Sequence, residues 1–418
     1  MVYLSELRRE SMLEVQKYLK EKGLESLVKE FNIKVNDYPD IVVLNYCQIS
    51  SPKFNPICDE CRSLILEKNT WKVLSYPFQR FYNAGEGVND CENKPYPYPV
   101  RIASYSKSHL KSYQIKNAII EHKIDGSIVT LWFFNGKWNV STRSMAYAEG
   151  QTSMGRTFAQ VFEDAVRKTD FYKTLENDHL LRDYCFTFEL TSAENRVVTP
   201  FTDPNITLIG ARYLKEESNY RELSRAELSH LAQVFKVDRP KTYKASSYEE
   251  LVELVNSFHC LQEGTVLVWE VENGSHIRLK CKNVSYLAIA HMRNNGAVSP
   301  KRILTLIMAN EQAEYIRYFP EDSKYVNFVE AEYTQSKERI KSIYRDNMNL
   351  VSQKDFALAI MPRTVYNFEQ GVIFTMRKKG GTVEDVLKEL GSNKIAKGMN
   401  LRNLFVKKFG VSTEEEEV

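Results

Sequence analysis

Lys123-Ile-Asp-Gly-Ser127 is the stretch that decides the fold of this chain. A lysine and an acid, one residue apart, precede an Asp-Gly turn, and an apolar strand is predicted over 128–132. An amine attacks a phosphate only when it is neutral, so a nucleophilic lysine needs a partly desolvated or cation-flanked position that lowers its pKa. The tight turn can provide that position. The stretch therefore indicates a lysine nucleophile beside a nucleotide pocket, but an ordinary charged hairpin turn has the same pattern.

Three downstream segments supply charged groups that such a lysine requires. Glu189 ends an alternating strand, Glu263 precedes another strand, and Lys280 and Lys282 lie on one face of a third. Each segment alone is also typical of a half-buried strand with solvated charges. A lysine nucleophile, two strand-borne acids and a Lys-x-Lys pair, in this order, are what covalent nucleotidyl transfer requires.

With these segments in order, the chain resembles the lysyl-nucleotidyl transferase superfamily of ATP-dependent ligases and RNA capping enzymes. The closer resemblance is to the phage RNA ligase family typified by the tRNA-repair ligase of T-even phages. The resemblance spans residues 35–290 and continues more loosely toward the C-terminus. The segments that carry it, besides the first stretch, are Cys61-Arg-Ser-Leu-Ile-Leu66, Pro77-Phe-Gln-Arg-Phe-Tyr-Asn83, Glu189 followed by Glu194-Asn-Arg-Val-Val198, and Gly274-Ser-His-Ile-Arg-Leu-Lys-Cys-Lys282.

The resemblance implies an ATP-dependent RNA ligase with a three-step reaction. Lys123 would attack the α-phosphate of ATP and form a lysine-AMP phosphoramidate, AMP would move to the 5′-phosphate of an RNA strand, and a 3′-hydroxyl would then displace it. ATP is thus a substrate, and Mg²⁺, with Mn²⁺ as an alternative, would neutralise phosphate charge. The implied catalytic residues are Lys123, Asp125, Glu189, Glu263, Lys280 and Lys282.

The resemblance also implies contacts to the bound nucleotide. Glu189 would bind the ribose hydroxyls, and Lys280, Lys282 and two arginines, Arg62 and Arg80, would contact phosphates. Arg80 stands where the family carries a lysine, which keeps the charge but changes the geometry. Ile209 and Val266 would pack on adenine. The alternatives are surface ion pairs for the arginines and ordinary core positions for the two apolar residues.

Three further roles follow from the resemblance. Arg143 and Tyr286 would contact substrate RNA, although an exposed strand arginine and a packing tyrosine explain them equally simply. Glu263 would act near the metal through bound water, since Mg²⁺ gives up its waters reluctantly. His122, beside Lys123, alternates to the opposite strand face and is assigned no catalytic role.

Hydrophobic periodicity predicts an α+β chain with two domains. Residues 1–284 alternate strands and helices and, by resemblance, form a nucleotidyltransferase domain of antiparallel sheets with flanking helices. Residues 285–418 have helical spacing and are predicted to form a mostly helical C-terminal domain. DNA ligases and capping enzymes of the superfamily continue into a small β-barrel instead, so the helical segment favours an RNA ligase. In the resembled family this domain contributes to selecting broken tRNA.

Composition restricts the class of protein. With 418 residues, 43% hydrophobic, the chain can bury more than one core, and a net charge of +3 requires any nucleic-acid surface to be local. Seven scattered cysteines fit a reducing cytoplasm, with Cys58 and Cys61 favoured as free thiols over half of a zinc site. The sequence has no signal-peptide or membrane-spanning run. We expect a monomeric phage protein of the host cytoplasm, the origin being implied by the resemblance.

Other functions remain open at this point. A nick-sealing DNA ligase or a GTP-using capping enzyme would use the same lysine, and a non-catalytic RNA-binding module is the alternative from a different class. The sequence contains no Gly-x-x-x-x-Gly-Lys-Ser/Thr phosphate loop. A separate kinase and phosphatase would therefore prepare the 5′-phosphate and 3′-hydroxyl ends of the RNA, for example nicked tRNA.

Overall fold

The computed structural model describes residues 12–84, 115–167, 171–215, 219–270, 276–292 and 298–410. Cys91 lies outside these ranges. The chain divides into two compact units, Met1–Leu287 (unit 1) and Ala288–Val418 (unit 2). Among the described residues, no helix is both long enough and apolar enough to cross a bilayer.

The described part of unit 1 contains three sheets. The N-terminal sheet has the strand order β1-β2-β3-β4, the glutamate sheet β10-β9-β7-β8, and the lysine sheet β11-β6-β12-β13-β5. The strand pairs are antiparallel except β13 with β5. The strands are β1 (Ile33–Asp37), β2 (Ile41–Tyr46), β3 (Arg62–Glu67), β4 (Val73–Ser75), β5 (Tyr82–Asn83), β6 (Ile119–Lys123), β7 (Ser127–Phe134), β8 (Lys137–Ser141), β9 (Tyr184–Thr191), β10 (Asn205–Tyr213), β11 (Thr242–Tyr243), β12 (Gly264–Trp269) and β13 (Ile277–Lys282).

Helices flank these sheets, and their ends carry the expected caps. The Glu60 carboxylate accepts hydrogen bonds from the first backbone amides of the helix Glu14–Phe31, at 2.8 Å from Val15 N, and Ser224 caps the helix Arg225–Phe235 with its hydroxyl. The unit 1 helices are α1 (Glu14–Phe31), α2 (Pro56–Glu60), α3 (Phe158–Val166), α4 (Phe171–Asn177), α5 (Arg225–Phe235) and α6 (Tyr248–Asn256), and α7 (Val284–Met292) crosses the division between the units.

Alternation along the strands of the glutamate and lysine sheets separates an apolar face from a charged face. In β9, Phe186, Phe188 and Leu190 are fully buried in the core that also packs against α3 to α5. Because successive strand residues point to opposite faces, Glu189 points away from this core. The lysine sheet repeats the arrangement, with Leu267 in its core. The glutamate sheet and the lysine sheet thus each have one face that carries charged groups.

A buried ion network connects the glutamate sheet to the lysine sheet. Glu222 lies between Arg212 of β10, at 2.7 Å, and Arg278 of β13, at 2.6 Å. Each guanidinium also stacks on an aromatic ring, Tyr76 and Phe78 respectively. Since both carboxylate oxygens are paired, the charge is compensated although all three side chains are buried. The network fixes the glutamate sheet against the lysine sheet.

Unit 2 is helical throughout its described residues. Ser299 and Thr382 cap helices with their hydroxyls, and Glu369, fully buried, accepts hydrogen bonds from Ser336 and Arg339. The predicted fold class, antiparallel sheets with flanking helices followed by a mostly helical C-terminal region, is confirmed. The helices that follow α7 are α8 (Pro300–Ala309), α9 (Gln312–Tyr318), α10 (Ser323–Asn347), α11 (Gln353–Ile360), α12 (Asn367–Lys379), α13 (Val383–Leu390), α14 (Ser392–Gly398) and α15 (Leu401–Phe409).

Candidate active site

Lys123 ends β6, and its side chain forms an ion pair with Glu263. Lys123 Nζ lies 2.5 Å from Glu263 Oε2, and Lys282 Nζ lies 2.8 Å from Glu263 Oε1. The lysine sheet produces this geometry because Gly264 of β12 is opposite both Lys123 and Lys282. Residues directly opposite each other point to the same face. One buried carboxylate therefore bridges the two lysines that the sequence singled out.

The charge of Lys123 follows from its neighbours. Burial alone would lower the pKa of Lys123, but the carboxylates of Glu263, Glu189 and Asp125 outweigh burial, and the pKa is raised. The expectation that the turn would lower this pKa is wrong for this arrangement. Burial would raise the pKa of Glu263, yet Lys123 and Lys282 lower it overall. Lys123 is held as an ammonium that must lose a proton before it can attack phosphorus.

Asp125 is held rigidly by donors from two other segments. Its Oδ2 accepts hydrogen bonds from the backbone N–H of Val198, at 2.9 Å, and of Thr199, at 2.6 Å. Its Oδ1 accepts from the Tyr286 hydroxyl at 2.6 Å. Both oxygens are thus occupied by protein donors, and Asp125 is only 4% exposed. The aspartate positions the turn that follows Lys123.

Tyr286 differs from its predicted role. The side chain is 2% exposed, and its hydroxyl is bonded to Asp125. Burial and the nearby acids raise the pKa of Tyr286, so the hydroxyl stays protonated and donates. The structure favours the packing alternative over the predicted RNA contact for this residue.

Gly126 brings the turn against β9. A Cβ atom at this position would lie 2.4 Å from the Leu190 carbonyl oxygen, so a larger residue would push the two strands apart. Gly126 N donates to Glu189 Oε1 at 3.2 Å. Asn195 closes the same junction by donating to Leu190 O at 2.8 Å and to Ser127 Oγ at 3.0 Å. The glycine is needed for close approach between strands.

Glu189 interacts electrostatically with Lys123. Burial raises the pKa of Glu189 to about 7, although Lys123 acts in the opposite direction and Glu263 raises it further. Three carboxyl groups thus surround one ammonium. At neutral pH a proton on part of the Glu189 population removes some of this negative charge.

A cationic group with aromatic rings lies beside Glu189. Arg62 stacks 4.5 Å from the centroid of Phe81, and Lys280 Nζ lies 5.1 Å from the same ring. Burial lowers the pKa of Arg62 to about 10, and Arg143 lowers it further while Glu189 raises it. Arg62 forms no salt bridge within the described ranges. The surface ion-pair alternative for Arg62 is therefore not what the structure contains.

Arg80 and Arg143 share a second aromatic ring. Their guanidinium carbons lie 4.2 Å and 4.8 Å from the centroid of Tyr46. Arg80 is 8% exposed and donates to the carbonyl oxygens of Ser51 and Pro52, whereas Arg143 is exposed. Cation–π stacking leaves guanidinium edges available to an anion. Together with Arg62 and Lys280, these residues form what we call the arginine group.

A cavity of about 450 Å³ opens beside Lys123. Thr191 and Thr207, on the same sheet face as Glu189, contribute to its lining, and volumes of this size are typical of small-molecule sites. Ile209, at a bulge in β10, and Val266, in β12, are half-buried and do not line this cavity. Other lining residues are Lys123, Asp125, Glu263, His122, Phe201 and Asp203.

The comparison with family models identifies the class of protein. A family model described as RNA ligase matches residues 60–285, more than half of the chain. The chain belongs to this RNA ligase family. The predicted RNA ligase class is thereby confirmed, and the match includes the lysine, glutamate and arginine positions described above.

Individual relatives agree with this RNA ligase assignment. A candidate bifunctional polynucleotide kinase/RNA ligase of Autographa californica nuclear polyhedrosis virus is 28% identical over 355 residues, covering 82% of this chain and 47% of that protein. The chain thus spans about half the length of this viral relative. An RNA ligase of Rhodothermus phage RM378 is 28% identical over 392 residues, covering 82% of this chain and 86% of that protein.

A solved RNA ligase of Naegleria gruberi, with ATP and Mn, is 14% identical and covers 44% of this chain and 53% of that chain, with a TM-score of 0.34.

Some groups of this RNA ligase site were not predicted from the sequence. His122 lines the cavity, and its Nδ1 lies 3.2 Å from the Tyr243 hydroxyl, whereas alternation alone had assigned it no role. The amides of Val198 and Thr199 come from an irregular loop that has no periodic signal. Arg278 lies within a predicted motif, but its pairing with Glu222 required the three-dimensional fold.

Proposed function

We propose that the chain is an ATP-dependent RNA ligase that joins a 5′-phosphate to a 3′-hydroxyl through a lysine-AMP intermediate on Lys123. The observation that carries this proposal is the single carboxylate of Glu263 shared by Lys123 and Lys282 at the wall of a cavity of about 450 Å³. Family membership supplies the RNA ligase class. The choice of nucleotide and the role of each residue are our inference.

The first step needs a neutral lysine. Glu263 Oε2, 2.5 Å from Lys123 Nζ, is the nearest group that can accept the proton. The Lys123 nitrogen then forms a bond to the α-phosphorus of ATP while the bond from that phosphorus to the bridging oxygen breaks, and pyrophosphate leaves with the electron pair. The proton transfer replaces an ammonium–carboxylate pair with two neutral groups, which a buried site tolerates well.

Two parts of the site would bind different parts of the nucleotide. The cavity would take adenosine, with Glu189 near the ribose hydroxyls, because threonines on the same sheet face as Glu189 line the cavity. The arginine group and Lys282 would take the phosphates, since planar guanidinium groups match phosphate oxygens. Lys123 would then stand at the α-phosphate between the two parts.

The second and third steps depend on the same charged residues as the first. An RNA 5′-phosphate oxygen attacks the adenylate phosphorus, and the P–N bond to Lys123 breaks, so the lysine recovers its proton and its pairing with Glu263. The RNA 3′-hydroxyl oxygen then forms a bond to the activated 5′-phosphorus and loses its proton to solvent, while the bond from that phosphorus to the AMP oxygen breaks and AMP leaves with the electron pair. The arginine group neutralises phosphate charge at each step.

The carboxylates fit a magnesium ion only in part. Among the described residues there is no group of three metal-ligating side chains. Both oxygens of Asp125 and of Glu263 are occupied by protein donors, whereas Glu189 accepts one hydrogen bond at Oε1. This donor set fits an ion that keeps several waters and is otherwise held by substrate phosphates, with Glu189 and Glu263 as outer partners. When bound, Mg²⁺ or Mn²⁺ would neutralise the charge of the leaving pyrophosphate.

The proposed cellular role is the sealing of RNA ends. The joining reaction requires RNA ends already healed to 5′-phosphate and 3′-hydroxyl, so we propose a separate healing enzyme as partner, nicked tRNA as one substrate, and action in the cytoplasm of a phage-infected host. The helical segment 285–418 would assist in choosing the RNA.

A joining assay tests the proposal. Purified protein, Mg²⁺ and ATP should convert a 5′-phosphorylated RNA strand with a 3′-hydroxyl into circles or longer products. Lys123→Ala should abolish joining, while Lys137→Ala, an exposed lysine on β8, should leave it intact. Joining of a nicked DNA duplex but not of RNA, or joining by Lys123→Ala at the wild-type rate, would contradict the proposal.

A further inference from the structure

Unit 2 has a face made of three helices that contain no acidic residue. Helices α14 and α15 pack against α8 and against each other, and the Thr305 hydroxyl lies 2.9 Å from that of Ser392. Within 298–310 and 391–410 there is no aspartate or glutamate. The basic residues of this face are Lys301, Arg302, Lys394, Lys397, Arg402, Lys407 and Lys408.

Four lysines of this face are exposed and unpaired in the structure. Lys394, Lys397, Lys407 and Lys408 are all exposed. None of the four forms an ion pair with another residue in the described ranges. We call them the four-lysine face. Like charges held together without counter-charges are unfavourable unless a polyanion neutralises them.

Three lysines elsewhere in unit 2 pair with acids of the fold. Lys337 and Lys341 pair with Glu384, at 3.4 Å and 3.0 Å, and Lys379 pairs with Glu389 at 2.8 Å. The helices that carry the four-lysine face contain no acid that could pair with its lysines in this way. Its charge is available to an external partner.

The aromatic residues next to this face restrict the kind of contact. Phe405 and Phe409 of α15 pack on Tyr325 of α10 with centroid distances of 5.1 Å and 4.9 Å, and on each other at 5.0 Å. Both rings are used for packing within unit 2, and the three helices contain no other aromatic residue. The face therefore offers charge without base-stacking platforms, which suits a phosphate backbone.

We propose that the four-lysine face binds the phosphate backbone of the RNA substrate without reading its sequence. The choice of RNA as the polyanion rests on the proposed function. An anionic membrane is the other polyanion to consider, but the face exposes only one large apolar residue, Val406 at 39%, within the described helices. Surface-binding helices need a continuous apolar side.

Salt dependence measures such contacts directly. Each phosphate contact contributes roughly 0.7–0.9 to the slope of log affinity against log salt, so four lysines contribute about 3. Replacing all four by glutamine should lower the slope by about 3 and weaken binding about tenfold or more near 0.1 M salt. Adenylation of Lys123 should not change, because it needs no RNA.

The test is fluorescence anisotropy with a labelled hairpin RNA at several salt concentrations, using the full chain. The variant carries Lys394→Gln, Lys397→Gln, Lys407→Gln and Lys408→Gln. The matched control carries Lys337→Gln, Lys341→Gln, Lys354→Gln and Lys379→Gln, which removes the same charge from the same unit. The proposal predicts a loss of affinity and slope in the first quadruple variant and wild-type behaviour in the control.

Other outcomes would overturn the proposal. Equal losses in both quadruple variants would mean that only net charge matters, and no loss in either would mean that RNA does not touch this face. Binding of the wild-type chain to phosphatidylserine vesicles in place of RNA would assign the face to a membrane. A wild-type chain that binds RNA but takes no label from ATP would refute the proposed ligase activity while leaving this surface intact.

Discussion

Replacing Asp125 by asparagine tests whether this residue holds the turn after Lys123. The aspartate accepts three hydrogen bonds, from Val198 N, Thr199 N and the Tyr286 hydroxyl. An asparagine oxygen can face the two amides, but its NH₂ group then faces Tyr286, whose proton loses its acceptor. The change therefore removes one bond to a charged group and makes the other two neutral.

The loss of stability in Asp125→Asn follows from those three hydrogen bonds. A hydrogen bond to a charged group contributes about 1.5–3 kcal/mol, and the remaining two weaken on losing the charge, so Asp125→Asn should lower the free energy of unfolding by about 2–4 kcal/mol. Tyr286→Phe should cost about 1.5–3 kcal/mol because it leaves an Asp125 oxygen without its donor. In the double variant the same bond is lost only once. The two changes should therefore be coupled by about 1.5–3 kcal/mol.

Urea unfolding of the four proteins of this double-mutant cycle measures the coupling. Tyr248→Phe is the control, because the Tyr248 hydroxyl forms no hydrogen bond within the described ranges and the change should stay within about 0.5 kcal/mol. Additive costs for Asp125→Asn and Tyr286→Phe would refute the direct bond between these side chains. A fully stable Asp125→Asn would refute the positioning role as a whole.

Three further predictions follow from the site. Gly126→Ala should lower the free energy of unfolding by about 1–3 kcal/mol because its Cβ would meet Leu190 O. Gly371 lies on a helix with open space around it, so the control Gly371→Ala should raise the free energy of unfolding by about 0.5–1 kcal/mol. Equal urea midpoints for the two variants would contradict this prediction. A pKa of Glu189 raised from 4.5 to about 7 means that the folded state binds more protons than the unfolded state between these values, so stability falls as pH rises through them. In Glu189→Gln, this decrease in the free energy of unfolding should be smaller by up to about 3 kcal/mol. The same pH dependence of the free energy of unfolding in the wild-type chain and in Glu189→Gln would refute the prediction. Because Glu263 helps to raise the pKa of Lys123, Glu263→Gln should lower the pH at which adenylation is half-maximal, even if the maximal rate is also lower. An unchanged or higher half-maximal pH would be inconsistent with this pairing.

Much of the site could be predicted from the sequence because its charged residues sit on regular strands. The spacing of Lys280 and Lys282 places both on one face, and β13 pairing with β12 brings Lys282 to Glu263. Glu189 alternates with Phe188 and Leu190, so its direction followed from the same rule. Strand periodicity was sufficient for these positions.

Other features required the three-dimensional fold. The net charge state of Lys123 depends on Glu189 and Glu263, which come from strands far away in sequence, so the predicted direction of its pKa was wrong. The contact between Tyr286 and Asp125 joins a helix to a turn, and no local pattern indicates it. Gly126 was predicted as a turn residue, but its role is the close approach to Leu190. Long-range pairing decides each of these cases.

The most direct test of the central claim is transfer of label from ATP to Lys123. Protein freed of bound adenylate is incubated with Mg²⁺ and either ATP or GTP labelled in the α-phosphate, and the label surviving a denaturing gel is measured beside Lys123→Ala and Lys137→Ala. We predict label from ATP in the wild-type chain and in Lys137→Ala, none in Lys123→Ala, and loss of the label when 5′-phosphorylated RNA is added. Label from GTP alone, label that persists in Lys123→Ala, or no label from either nucleotide would contradict the account.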